Sequence, residues 1–269
     1  MHSIMLKNSI DIFELENFIE ESCVEVKLKN IPDFFEIHAI SDGRSPLAHS
    51  ICFLEKVEQV QLDSSVVFIL SEEIANQPCI VTSDPRYLFI KFLEYIQRSY
   101  NYVSLPDGVV KGKHITAFVH EKAIIEEDVF IDQDAWIGAG AVIKKGTVIG
   151  KGSIIRENTV IGCSGIALYK SNHGEVVRFP HLSGVIIGEN VEIGANAVIV
   201  QGTLKPTVVE DNVVIGNLCN IGHGVIVKEK VWMSVGTLIG GNCLVEQGST
   251  LALGVSVKDN LSILENTSI

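Results

Sequence analysis

Residues Val209–Ser268 read, six at a time, VEDNVV IGNLCN IGHGVI VKEKVW MSVGTL IGGNCL VEQGST LALGVS VKDNLS ILENTS. Every unit opens on an aliphatic side chain or methionine, and its fifth residue is usually small or β-branched. A period held in phase over ten units marks a solenoid built from six-residue repeats. Each unit makes one short strand and one corner, and three units close a triangular coil. The first and fifth side chains point inward and stack on their counterparts in the next coil. Glycine is frequent at the second position (Gly138, Gly150, Gly194, Gly216, Gly222, Gly240), where a corner would use its conformational freedom. Cys219 and Cys243 fall at fifth positions and are expected as small apolar core filler.

The same period runs upstream. It starts at Val119, Ile125, Ile131, Ile137, Ile143, Ile149, Ile155 and Ile161, and resumes at Ile187, Ile193 and Ile199. Two interruptions separate these runs: the polar excursion within 163–186 and the short break at 204–208 around Pro206. Loops thrown out from a rigid solenoid are where binding residues collect.

The first hundred residues differ in kind. They carry most of the aromatic side chains and predict a small mixed α/β domain over 1–104, followed by a Pro/Gly-containing linker over 105–113 and the β-helix over 114–269. Short buried strands are predicted at Ser64–Leu70 and Cys79–Val81. The stretch Arg86–Gln97 spaces Leu88, Phe89, Phe92, Leu93 and Ile96 as one apolar face of a helix.

Composition narrows the function. The chain is 46% hydrophobic but only 7% aromatic, as stacked aliphatic layers require. A net charge of −12 argues against nucleic-acid binding, which needs a Lys/Arg surface. Neither a secretory signal nor a membrane-length apolar run is present, which implies a cytoplasmic protein. The six cysteines form no CxxC pair and no metal-ligand spacing, so free thiols and no metal are expected.

One histidine remains after His181, and it is His223 in NIGHG. As the third residue of its unit it should face outward, where it is either an ordinary surface histidine or a catalytic one. One coil is three units, so Gly241 lies on the same face one strand spacing away. An imidazole can take a proton from an attacking amine, and a glycine N–H can hold the oxyanion of acyl transfer. A zinc hydratase of the same architecture would need three converging histidines, and His223 has no such partners in register.

The segment Ile215–Val227 (IGNLCNIGHGVIV) resembles the Asn-x-Cys-x-Ile-x-His motif of the UDP-3-O-(3-hydroxyacyl)glucosamine N-acyltransferase family of the lipid A pathway. Asn217, Cys219, Ile221 and His223 carry that match; Tyr169, Gly174, Pro180 and Val185–Gly188 resemble the family's loop. Ser50–Leu54 resembles the segment bearing a uracil-stacking phenylalanine, which would be Phe53. The resemblance implies a left-handed parallel β-helix, although parallel crossovers are ordinarily right-handed. It implies a homotrimer with active sites in clefts between neighbouring β-helices. It also implies no bound cofactor, an acyl carrier protein or acyl-CoA thioester as co-substrate, and a nucleotide-linked amino sugar as acceptor. By the match, His223 is the base and Gly241 the oxyanion glycine. Phe53, Tyr169, Asn217, Asn220 and His181 are candidate substrate contacts. Phe53 could equally be core, His181 an ordinary loop histidine, Asn217 and Asn220 turn residues, and Tyr169 an anchor of the excursion.

The departures lie where the substrate would be selected. In Ser164–Tyr169 (SGIALY) the family's Asp-Gly-Phe-Gly-Tyr loses its Phe and gains a residue, and Val200, Gln201 and Gly202 replace Asp-Arg-Gly. Fewer coils precede the loop, and no C-terminal helices are expected after Ile263. Acyl transfer from CoA to a dideoxy amino sugar is therefore a close alternative. O-acetyl transfer and a non-catalytic nucleotide-sugar-binding β-helix are the others.

Overall fold

A computed structural model describes residues 3–55, 62–99, 101–106 and 108–269; Asp107, in the expected linker, lies outside them. The chain divides into two compact units, Met1–Val103 with Ile166–Leu182, and Ser104–Gly165 with Ser183–Ile269.

In the first unit, strands β1 (Ser3–Asp11), β2 (Lys27–Lys29), β3 (Glu36–Ser41), β4 (Ser50–Phe53), β5 (Val66–Leu70) and β6 (Cys79–Val81) form one sheet in the order β1-β3-β4-β5-β6-β2. Its centre is parallel and its two edge strands are antiparallel. All five residues of β5 are buried, the continuous apolar run expected of a parallel strand covered on both faces. Helix α1 (Ile12–Ser22) starts at Asp11, whose carboxylate accepts from the Glu14 N–H at 2.8 Å. Helix α2 (Pro85–Ser99) buries the five apolar residues that the helical spacing selects.

The excursion belongs to this unit. Leu168–Lys170 and Val176–Arg178 pair as an antiparallel hairpin. Asp84 ties it to α2: this buried carboxylate caps the helix through the Tyr87 N–H at 3.1 Å. It also accepts from the Tyr169 hydroxyl at 2.7 Å and the Asn172 N–H at 2.8 Å. Glu175 adds contacts to the Tyr87 hydroxyl and to Lys91.

The second unit is mainly β, a parallel β-helix with three sheets of eight, seven and seven strands among the described residues. Trp232 pairs with Thr250, one coil on. Ile154 pairs with Glu192 across the excursion, and Glu192 with Val214 across the shorter break. Both interruptions are therefore looped out and the pairing continues beyond them, with one local irregularity where Ile161 and Cys163 pair with the adjacent residues Ile199 and Val200. First-position side chains stack through the centre, with Ile137, Ile143, Ile155, Ile193, Ile199 and Ile221 fully buried. Most fifth positions are buried too, although Leu261 near the C-terminal end is exposed. Several carry hydroxyls that donate to carbonyls of the wall, as Ser153 does to Gly188 and Thr159 to Gly194, both at 2.7 Å. Cys219 and Cys243 are buried free thiols whose Sγ atoms contact the carbonyls of Ser234 and Lys258 at 3.1 Å. They fill the same places as those serines and threonines, with a weak donor aimed at the wall.

The corners correct one expectation. Left-handed backbone occurs at the fourth position of the repeat (Asn190, Asn196, Asn212, Leu218, Lys230, Asn242, Asn260). The second-position glycines are needed for space instead. A Cβ on Gly222 would fall 2.7 Å from the Gly241 nitrogen, and one on Gly216 2.9 Å from the Val235 nitrogen.

Candidate active site

His223 sits between two inward anchors, Ile221 and Val225, both fully buried, so its own side chain points out of the coil. The turn that carries it is fixed on both sides. The Gly224 N–H donates to the Thr207 hydroxyl at 2.9 Å, and the His223 carbonyl accepts from the Asn242 N–H at 2.8 Å. The imidazole is half-buried and lies against Gly241 in the next coil. A Cβ added to Gly241 would fall 2.6 Å from Nε2 and 2.9 Å from Nδ1. Glycine at 241 is thus a condition of the ring's position.

Burial holds the His223 pKa below the usual histidine value, and the negative charge of Asp259 acts in the opposite direction. The net effect keeps the ring neutral near pH 7, the form a base requires.

Gly241 departs from the expected arrangement in one respect. Its N–H is not open to a ligand in this structure, because it donates to Asp259 Oδ1 at 2.6 Å. His223, Gly241 and Asp259 occupy the same repeat position in three successive coils. Asp259 escaped the sequence reading, although a second one-coil step from His223 lands on it.

The remaining candidates separate by unit. Asn217 and Asn220 lie on the β-helix with His223. Asn217 Oδ1 accepts from the Ala195 N–H at 2.8 Å, a backbone-satisfying role, and Asn220 is exposed. Phe53, Tyr169 and His181 belong to the N-terminal unit. The Phe53 ring packs against Phe89 with centroids 4.9 Å apart and is half-buried. Tyr169 anchors the excursion: its hydroxyl binds Asp84 and the Arg86 guanidinium lies over its ring at 5.0 Å. Burial, followed by the bond to Asp84, pushes its pKa up to about 12, so it stays protonated. His181 lies in a loop and is buried. Asp84, the residue organising this region, also went unnoticed, though an Asp before a proline at a helix start is a capping signal.

Among the described residues, no group of three or more His, Cys, Asp or Glu side chains is placed to hold a metal ion. No helix among them is long and apolar enough to cross a membrane.

Comparison with known proteins gives two family matches: "Bacterial transferase hexapeptide (six repeats)" over residues 128–163 and "Hexapeptide repeat of succinyl-transferase" over 184–217. These repeats assign the solenoid to the left-handed class of β-helix. The Arabidopsis thaliana "Probable UDP-3-O-acylglucosamine N-acyltransferase 2, mitochondrial" is 37% identical over 111 residues, 40% of this chain and 36% of its own. The UDP-3-O-acylglucosamine N-acyltransferase of Pseudoalteromonas translucida is 39% identical over 84 residues, 31% of this chain and 24% of its own. That of Delftia acidovorans is 36% identical over 110 residues, 41% and 32% of the two chains. The chain thus spans about a third or less of the length of these curated relatives. Among solved structures, PerB from Caulobacter crescentus in complex with CoA and GDP-perosamine overlaps at a TM-score of 0.34 and 13% identity, covering 74% of this chain and 66% of that one.

Proposed function

We propose that this chain, a member of the hexapeptide-repeat transferase superfamily, transfers an acyl group from a phosphopantetheine thioester to the amino group of a nucleotide-linked amino sugar. The observation that carries this reading is the His223 imidazole, held neutral by burial and packed directly on Gly241. The similarity to UDP-3-O-acylglucosamine N-acyltransferases supports the acceptor class. The amine nitrogen attacks the thioester carbonyl, His223 takes the proton the nitrogen sheds, and the C–S bond breaks as the tetrahedral centre collapses. The proton then passes to the departing thiolate, so an amide and a free thiol are the products. Once the Gly241 N–H is released from Asp259, it would hold the carbonyl oxygen as negative charge develops there.

Carrier-protein and CoA thioesters are both donors within this reading. Phe53, half-buried at the end of β4, would receive the nucleotide base. Asn217 and Asn220, in the repeat unit that leads up to that of His223, would contact the sugar. Homotrimer assembly belongs to the same reading and is supported by exposed apolar residues of the solenoid, Trp232 and Leu238 on its walls and Leu218 at a corner.

Thiol release tests the proposal. The protein is mixed with acyl-CoA or acyl carrier protein thioesters and a panel of UDP- and dTDP-amino sugars. Release should require an amino sugar and should fall by ~10²–10⁴-fold in His223→Ala, the usual range for loss of a general base. No release with any pair, or an undiminished variant, would reject it.

A further inference from the structure

The contact between Gly241 and Asp259 belongs to a recurring pattern in the solenoid. An Asx side chain at the third position accepts from the third-position N–H one coil earlier, as Asp211 does from Glu189 at 2.7 Å and Asn217 from Ala195 at 2.8 Å. Such a ladder satisfies outward backbone donors that neither strand pairing nor a corner uses. At Gly241 the same device falls on a different neighbour. There an imidazole from the preceding coil lies against the donor residue.

The mobility is also unequal. The backbone at 259 is held, because the Asn260 N–H donates to the Gly241 carbonyl at 2.9 Å. Asp259 itself is exposed, so its side chain can rotate into solvent. Its carboxylate oxygen, 2.6 Å from the Gly241 nitrogen, occupies a position that an acyl oxyanion on the same donor would need.

We propose that Asp259 is a positioning carboxylate with two states: at rest it blocks the Gly241 N–H, and a thioester carbonyl gains that donor only by displacing it. This rests on the assignment of His223 and Gly241 above. In the resting position the carboxylate already acts on the imidazole, where its charge opposes the effect of burial. Gln201 and Gly241, which flank His223 in the coils before and after it, are uncharged. Asp259 contributes a negative charge that favours the protonated ring. It therefore works through two other groups and forms no bond to the reacting atoms.

Two substitutions separate the blocking role from the electrostatic one. Asp259→Asn keeps an oxygen that can accept from Gly241 but removes the charge, whereas Asp259→Ala removes both. Steady-state kinetics of the full chain, with acetyl-CoA and a 3-hydroxyacyl carrier protein as donors, should show the donor KM falling in Asp259→Ala. The expected fall is ~2- to 10-fold, the range of one hydrogen bond no longer displaced. Asp259→Asn should leave KM near its original value. In both variants the acid limb of kcat/KM should move to lower pH, because the charge that favours the imidazolium is gone.

An unchanged limb and unchanged donor KM in both variants, with only the melting temperature altered, would reduce Asp259 to another rung of the ladder and overturn the proposal. NMR titration of the labelled protein provides a readout independent of turnover. The His223 ring should titrate at lower pH in Asp259→Asn, and in the unsubstituted protein the Gly241 amide resonance should follow the titration of Asp259. If these shifts appear while no thioester and amino-sugar pair reacts, the acyl-transfer reading has failed and the coupling of Asp259 to its neighbours stands. If neither shift appears, the coupling is absent whatever the activity.

Discussion

A histidine that acts as a base at neutral pH has to be uncharged, and burial supplies that condition for His223. The sign of the linked stability follows. A ring whose folded pKa lies below its unfolded value binds its proton more readily in the unfolded chain. Its contribution is therefore present above the unfolded pKa, ~6.5, and is lost as pH falls below it. Chemical denaturation between pH 7.5 and 5 should show a smaller pH-dependent loss in His223→Gln than in the unsubstituted protein; equal losses would mean that His223 is not the group responsible. Gly241→Ala tests the packing. The new Cβ would meet the imidazole, so the ring must turn outward. Transfer should drop on the order of 10²-fold, the effect of misplacing a catalytic group by about an ångström. Because a half-exposed ring can yield, most of the ~1–3 kcal/mol usual for overpacking should be avoided. Kinetics beside a thermal melt separates the two effects. His223 and Gly241 were legible as neighbours because eighteen-residue coils fix register. The bond from Gly241 to Asp259 was not, since spacing reveals which groups are close and not which donor is already engaged.

At the scale of elements, the repeat was readable for a simple reason. Alternating side-chain direction in a strand must place the first and fifth residues of each unit inside, and their identity advertises it. The corner was misread because glycine is conspicuous at the second position, whereas the left-handed residue is the fourth and is often asparagine. Leu218 is the unusual case, a leucine at φ 59° with an exposed side chain. Left-handed backbone costs a residue with a Cβ about 1–2 kcal/mol, and asparagine less. Leu218→Asn should therefore raise stability by about 1 kcal/mol in equilibrium unfolding; a lower stability would show that the leucine side chain contributes more than its backbone strain removes. The hairpin of the excursion is held in the same local manner. Asp84→Ala removes the cap of α2 and both of the hairpin's bonds to that carboxylate, which should lower stability by about 2–3 kcal/mol. Hydrogen exchange at 168–178 should rise with it. The sequence did not disclose that pairing, because Tyr169 and Asp84 are far apart along the chain and follow no shared period.

Over the whole molecule, the β-helix is held together by repetition: each coil buries its aliphatic layer only against the coils on either side. That keeps His223, Gly241 and Asp259 in register along one corner, beyond the point where the excursion leaves and returns. The composition anticipated this architecture, since a low aromatic content and many Ile and Val residues suit thin stacked layers. Substrate identity left no comparable trace, because a period set by core packing fixes where outward side chains stand and not what they bind. The central claim is that the neutral form of His223 accepts the proton during acyl transfer. The most direct measurement compares the His223 pKa, read from its ring resonances, with the pKa of the acid limb in kcat/KM for thiol release. The account predicts that the two coincide below ~6.5 and that His223→Ala abolishes the limb along with most of the rate. A limb that fails to follow the ring, or a variant that retains both limb and rate, would contradict it.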